Sequence, residues 1–163
     1  MTDCNAKPQE EHAWLNKLLG DWTFEAEASM GPDQPPMKTT GTESVRSVGG
    51  FWVIAEGEGS MPHGGRATMM LTIGYNPAKG KYVGSWLGSM MPMMFVYEGE
   101  LDADQRILTL NTKGPSFMDP TKQADYRDVI EIVDQDHRIL HSRTPGPDGE
   151  WVEFMTAHYR RKK

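Results

Sequence analysis

Apolar side chains recur at every second position through most of this chain, starting at Trp22. The alternation is clearest in residues 66–75, where five apolar side chains would share one face. A period of two indicates half-buried β-strands, and short strands separated by turn residues form antiparallel hairpins. Because closing such a sheet removes its exposed edges, we predict an all-β fold, an antiparallel up-and-down β-barrel of about ten strands. The predicted strands are 22–30, 38–48, 51–59, 66–75, 81–90, 94–101, 106–113, 125–134, 137–144 and 151–160.

One helix is predicted before the strands, over residues 8–19. Pro8 suits the first turn of a helix, where no backbone N–H is needed, and Gly20 can adopt the left-handed conformation that ends one. We expect this helix to cap one end of the barrel. The length of 163 residues fits a single domain, which we place at 8–163 after a flexible N-terminus of residues 1–7. The apolar stripe of the helix consists of Trp14, Leu15, Leu18 and Leu19.

The composition argues against several classes of partner. The formal net charge is −6, and the basic residues cluster only in the tail 160–163, so we expect neither nucleic acid nor a membrane surface as a partner. No stretch approaches the roughly 18 consecutive apolar residues of a membrane span. The single cysteine, Cys4, excludes an internal disulfide, and residues 1–8 contain no apolar export segment. We therefore expect the protein in the cytoplasm.

Gly20-Asp21-Trp22 opens the first strand, and arginines close the last. This combination is similar to the sparse signature of lipocalin-like barrels. The resemblance implies that an arginine of the last strand packs across Trp22, in a cation–π contact worth about 1–2 kcal/mol when it is desolvated. We assign this structural role to Arg160, with Arg161 as the alternative.

Six stretches of the chain resemble the bacterial domain-of-unknown-function 1579 family, and together they extend from about residue 8 to residue 161. The resemblance implies a lipocalin-like (calycin) barrel and no established activity. A more distant similarity to nitrobindin-like haem proteins implies haem binding through His158 as an alternative. Otherwise no cofactor is expected. The six stretches are Leu19–Trp22, Gly49–Trp52, Ile73–Pro77, Gly84–Met90, Tyr126–Asp128 and Met155–Arg160.

A cluster of methionines surrounds Pro92 at the junction of two predicted strands. Methionine is flexible and polarizable, so the cluster fits ordinary core packing, an adaptable ligand pocket or a Cu(I) site with thioether ligands. The function we predict is binding of a small, mainly apolar molecule in the barrel cavity, because such pockets combine apolar walls with a few polar groups. A homodimer through an exposed methionine surface is an alternative. The expected lining residues are Met69, Trp86, Met90, Met94, Phe95 and Tyr97, with Tyr126 and His158 as polar anchors.

Four further histidines are not expected to bind metal. His137 and His141 have a spacing that would place both rings on one metal ion if they lay on a helix. On a strand, however, they would lie about 13 Å apart, too far for a shared ion. We expect His12 and His63 to face solvent. The sequence therefore predicts no metal site.

An enzyme is the alternative function. His158 shares a predicted face with apolar residues of the last strand, as either a core residue or an acid–base group. Glu56 and Glu58 share a face that points either to solvent or into the cavity. If His158 and Glu56 both faced one cavity, they could transfer protons on a bound small molecule.

Overall fold

The computed structural model describes residues 5–29, 31, 33–61 and 64–163. Ten antiparallel strands close into one barrel, in which each strand pairs with its neighbours in sequence and the first also pairs with the last. The predicted all-β barrel is confirmed, whereas the predictions for Cys4, Met30 and His63 lie outside the described residues. The strands are β1 Gly20–Ala28, β2 Met37–Val48, β3 Trp52–Ser60, β4 Arg66–Asn76, β5 Lys81–Gly88, β6 Phe95–Leu101, β7 Ile107–Pro115, β8 Gln123–Asp134, β9 His137–Pro145 and β10 Trp151–Arg161.

The N-terminal helix is shorter than the sequence suggests. An α-helix, α1 (Glu10–Trp14), passes into one turn of 3₁₀-helix over Leu15–Leu18, and Gly20 enters β1 with a φ of +114°. These turns lie across one end of the barrel, as predicted. The Trp14 indole N–H donates to the Gln105 carbonyl at 2.7 Å, and the Tyr82 hydroxyl donates to the Glu11 carbonyl at 2.8 Å. We call this end of the barrel the closed end.

His12 is buried at the closed end, so the prediction that it faces solvent is wrong. Only 3% of the residue is exposed. Its Nε2 bonds to the Tyr75 carbonyl at 3.0 Å, and its Nδ1 accepts the Gln9 N–H at 2.9 Å. Because a carbonyl oxygen can only accept, these bonds place the proton of the neutral ring on Nε2. The ring thus ties α1 to β4, and its polar atoms are satisfied by the backbone.

Trp22 is covered by an arginine, but by Arg161 and not by Arg160. The indole is 1% exposed and donates to the Leu18 carbonyl at 3.0 Å. The Arg161 guanidinium carbon lies 4.2 Å from the centre of the ring, whereas Arg160 is exposed. The reason is register: Trp22 pairs directly with Arg161 across the β1–β10 ladder, and neighbours on a strand point to opposite faces.

A β-bulge in β10 changes which side chains face the interior. The register with β9 shifts between Glu153 and Met155. A bulge inserts an extra residue and so interrupts the strict alternation of faces. As a result Phe154 and Met155 both reach the interior, and beyond the bulge His158 points outward. The prediction that His158 shares the interior face of Phe154 is therefore wrong.

None of the helices in the described ranges is long and apolar enough to cross a membrane.

The interior is solid at the closed end and hollow beyond it. Apolar side chains from α1, the 3₁₀ turn and the adjoining strand ends pack together beneath the helix. This packed layer includes Trp14, Leu15, Leu18, Trp22, Ile73 and Leu108.

Candidate functional site

A cavity of about 380 Å³ occupies the barrel between the packed layer and the opposite end. This volume falls in the range of roughly 300–1,000 Å³ that is typical of small-molecule sites. Its lining reaches Met61 in the β3–β4 connection, Met90 and Met91 after β5, and Phe117 in the β7–β8 connection. These connections lie at the end opposite α1, which we call the mouth.

Aromatic and sulfur-containing side chains form one wall of the cavity. The Trp86 and Phe95 rings are 6.0 Å apart, and Phe95 meets Tyr126 edge to face at 6.0 Å. The Tyr126 hydroxyl donates to the Pro115 carbonyl at 2.7 Å, so it holds the end of β7 in place. Of the side chains expected to line a pocket, the structure places six here: Met69, Trp86, Met90, Phe95, Tyr97 and Tyr126.

Met94 does not line the cavity, contrary to expectation. It precedes the first residue of β6 and is 56% exposed. Phe95 takes the inward position at the start of that strand. The methionine cluster is therefore divided, with Met90 and Met91 lining the cavity while Met94 lies on the outside near the mouth.

A buried ion pair lies on the cavity lining near the closed end. Arg138 of β9 bonds to Glu43 of β2, and their side chains are only 4% and 10% exposed. The Arg138 guanidinium carbon is 4.0 Å from the centre of the Tyr159 ring and 4.8 Å from that of Trp22. The rings thus compensate part of the hydration that the cation has lost. Sequence reasoning did not single out this pair.

Asp128 is a second carboxyl group of the cavity lining, on the wall formed by β8. Its Oδ1 accepts the Ser142 hydroxyl at 2.6 Å, and its Oδ2 accepts the Tyr97 hydroxyl. Burial raises the pKa of Asp128, and the two hydrogen bonds oppose that shift. Burial and then the charge of Asp128 raise the pKa of Tyr97 well above its ordinary value, so this hydroxyl remains a donor. The Tyr97 and Ser142 hydroxyls therefore share Asp128 as their hydrogen-bond partner.

Tyr159 differs from Tyr97 and Ser142 in its hydrogen bonding. Its ring lies against Arg138 on β9 and 5.3 Å from the Phe24 ring on β1. The residue lines the cavity and is 9% exposed, yet its hydroxyl has no hydrogen-bond partner among the described residues. Burial, and next the charge of Glu43, raise the pKa of Tyr159 far above that of a free phenol. It stays protonated at physiological pH and can donate.

The proposed catalytic pair does not share a cavity. His158 lies on the outer surface, where its Nδ1 is 3.0 Å from Nε2 of His137. Glu56 also points outward and pairs with Arg46 at 2.9 Å, with half of its side chain exposed. Proton transfer on a common substrate atom requires both groups within hydrogen-bond reach of it. The same outward position removes His158 as a polar anchor or a haem ligand inside the barrel.

The remaining histidines do not gather around a metal position. His141 lies between two carboxylates, Glu131 at 2.9 Å and Glu153 at 2.6 Å, on the outer face of the sheet. Within the described ranges no three His, Cys, Asp or Glu side chains are arranged so that they could hold a metal ion, and no histidine lines the cavity. Glu58, like Glu56, points outward and pairs with an arginine, Arg66, at 3.1 Å.

Comparison with known proteins supports the family and the fold. The family model described as "Protein of unknown function (DUF1579)" matches residues 7–161. The crystal structure of Rv2717c from M. tuberculosis superposes with a TM-score of 0.66 at 13% identity, over 96% of this chain and 100% of that one. The structure titled EF1p2_mFAP2b bound to DFHBI gives a TM-score of 0.51 at 10% identity, over 93% and 99%. The search of curated proteins finds no match. These comparisons do not confirm the distant similarity to nitrobindin-like proteins.

Proposed function

We propose that this chain, which belongs to the DUF1579 family of unknown function, binds a small and mainly apolar molecule inside its barrel. The observation that carries the proposal is the cavity of about 380 Å³ with a lining of methionine and aromatic side chains. Burial of apolar surface is worth about 25 cal/mol per Å², and such a wall offers it from several sides. Fold likeness adds limited support, because a barrel of similar fold is bound to the small molecule DFHBI.

We assign stability to the packed layer and ligand binding to the cavity. Side chains that served only as core would be expected to fill the barrel to the density of the closed end, because protein interiors leave few voids larger than a water molecule. Here the strands continue past the packed layer, and small residues such as Ala26, Ala55 and Ala67 keep the centre empty. The hollow lies beside the most adaptable side chains of the chain, which favours a ligand site over a packing defect.

Blocking the cavity from within tests this proposal. Ala26 on β1 lines the cavity, whereas Glu27, the next residue on the same strand, is exposed on the other side of the sheet. Binding of ethylnaphthalene, measured by calorimetry, is expected to weaken at least about tenfold in Ala26→Phe and to change less than about twofold in Glu27→Phe. Circular dichroism checks that both variants fold. Equal binding by Ala26→Phe would place the ligand elsewhere and contradict the proposal.

The identity of the natural ligand calls for a second experiment. Native mass spectrometry of the protein purified from its own host would reveal a co-purified molecule as a discrete added mass. Release of that mass on denaturation, and its absence from Ala26→Phe, would assign it to the cavity. The cytoplasmic location and the absence of nucleic-acid and membrane partners remain predictions from the sequence.

A further inference from the structure

We infer that the molecule bound in the cavity carries an uncharged hydrogen-bond acceptor, such as a ketone, ester or amide carbonyl, that receives the Tyr159 hydroxyl. The apolar part of the molecule would then lie toward the mouth, against Trp86 and Phe95. This inference rests on the proposed function and specifies the ligand class of the same site.

Most of the other hydroxyls on the cavity lining have a hydrogen-bond partner in the protein. Tyr97 and Ser142 both donate to Asp128, and Tyr126 donates to the Pro115 carbonyl. Each of these hydroxyls has a partner in the protein. Thr112 Oγ1 lacks one, but it is fully enclosed and beyond the reach of a ligand. Ser60 donates to the Thr40 carbonyl, and the Thr39 hydroxyl lacks a partner among the described residues but lies near the mouth, at the third residue of β2. Tyr159 therefore differs from the other hydroxyls deep in the cavity, because its hydroxyl has no partner in the described part of the chain and is not fully enclosed.

The Tyr159 ring is fixed in place before any ligand arrives. The Arg138 guanidinium lies 4.0 Å from its centre, and the Phe24 ring packs against it at 5.3 Å. A donor that is held by its neighbours loses little further freedom on binding, so more of its hydrogen-bond energy contributes to affinity. Burying a hydroxyl without a partner is unfavourable, and a ligand acceptor would relieve that penalty.

The charges around Tyr159 decide what kind of acceptor fits. Arg138 is the only cationic side chain among the described lining residues; its charge is offset by Glu43, and its Nε, which has no hydrogen-bond partner, is fully enclosed. Asp128 adds a second carboxyl group to the same lining. An anionic head would thus approach two carboxyl groups with no free cation to offset them, and desolvating it would be costly. An uncharged carbonyl accepts the same hydrogen bond without that cost.

A set of matched naphthalene probes tests the inference. Acetylnaphthalene carries the acceptor, ethylnaphthalene has nearly the same shape without it, and naphthoate replaces it by a charge. One net hydrogen bond of about 1 kcal/mol corresponds to roughly fivefold in affinity. We therefore expect calorimetry of the wild-type protein to show acetylnaphthalene binding about three- to tenfold more tightly than ethylnaphthalene, with naphthoate the weakest.

Two tyrosine-to-phenylalanine variants assign the preference to one hydroxyl. Tyr159→Phe keeps the ring between Phe24 and Arg138 and should abolish the preference for the acetyl probe. Tyr126→Phe is the matched control: this residue also lines the cavity, but its hydroxyl is bonded to Pro115, so the preference should remain. Thermal unfolding of both variants verifies that the barrel is intact.

The outcomes separate this inference from the proposed function. Equal binding of the acetyl and ethyl probes by the wild type would overturn the inference and leave cavity binding standing. The same conclusion would follow if naphthoate bound most tightly or if Tyr159→Phe kept the preference. Failure of every probe to bind the wild-type protein would overturn the proposed function, and this inference with it.

Discussion

Replacing Glu43 by glutamine would leave the Arg138 guanidinium buried without its counter-charge. Removing one partner of a buried ion pair typically costs about 3–5 kcal/mol. The Trp22 and Tyr159 rings, at 4.8 and 4.0 Å from the guanidinium, remain in place and continue to stabilise the cation. We therefore expect the lower end of that range, about 3 kcal/mol, which for a domain of this size corresponds to a melting temperature lower by about 6–12 °C.

Urea denaturation with two reference variants makes the prediction specific. Glu56→Gln breaks an exposed arginine–glutamate pair, with Arg46 and Glu56 side chains 59% and 51% exposed, and should cost less than about 1 kcal/mol. The double variant Glu43→Leu/Arg138→Met removes both buried charges and should lie within about 1 kcal/mol of the wild type. If Glu43→Gln cost no more than Glu56→Gln, the buried pair would not carry the energy assigned to it here.

Three further predictions concern the surface and the closed end. Arg161→Ala should lower the unfolding free energy by about 1–2 kcal/mol through loss of the contact on Trp22, while Arg160→Ala should change it by less than about 0.5 kcal/mol in urea denaturation. Burial, and next Arg160 and His158, lower the pKa of His137 in the folded protein from its ordinary value of 6.5. At a pH near or below 6.5 the unfolded chain therefore binds this proton more readily than the folded protein does. Stability should therefore fall as the pH decreases through about 6.5, the ordinary pKa of histidine, and should fall less in His137→Asn. Light scattering tests the predicted homodimer: a dimer that is lost in Met93→Glu supports it, and an unchanged monomer contradicts it.

The strand pattern could be predicted because burial acts locally on every second residue. In β4 the alternating set Ala67, Met69, Leu71, Ile73 and Tyr75 faces inward as the spacing indicates, and the observed strand spans Arg66–Asn76. The turns are equally local, since glycine, proline and asparagine favour them for steric reasons. Periodicity and turn chemistry together therefore predict most strand boundaries of an antiparallel meander to within two residues.

The same reasoning failed in β10 because one residue breaks the alternation. With strict alternation, Phe154 and His158 share a face, and His158 becomes the best candidate for chemistry. The bulge at Glu153–Met155 reverses the faces beyond it and brings Tyr159 inward in place of His158. A bulge depends on how a strand fits its neighbours in the closed barrel, and nothing in the apolar pattern of β10 distinguishes it from a regular strand.

The polar end of the cavity lies further beyond the reach of sequence reasoning, because its members meet across the barrel. Glu43 and Arg138 come from β2 and β9, which are not neighbours: β1 and β10 lie between them in the sheet. Alternation indicates that each side chain points inward, but it does not identify the partner. That depends on the stagger of the strands, which determines which inward side chains reach the same height. A charged residue at an inward position of a barrel strand is itself the usable signal, since an unpaired charge could not remain there. Applied to Glu43, Asp128 and Arg138, this rule predicts three polar side chains inside the barrel. Only the structure then shows which of them pair with each other.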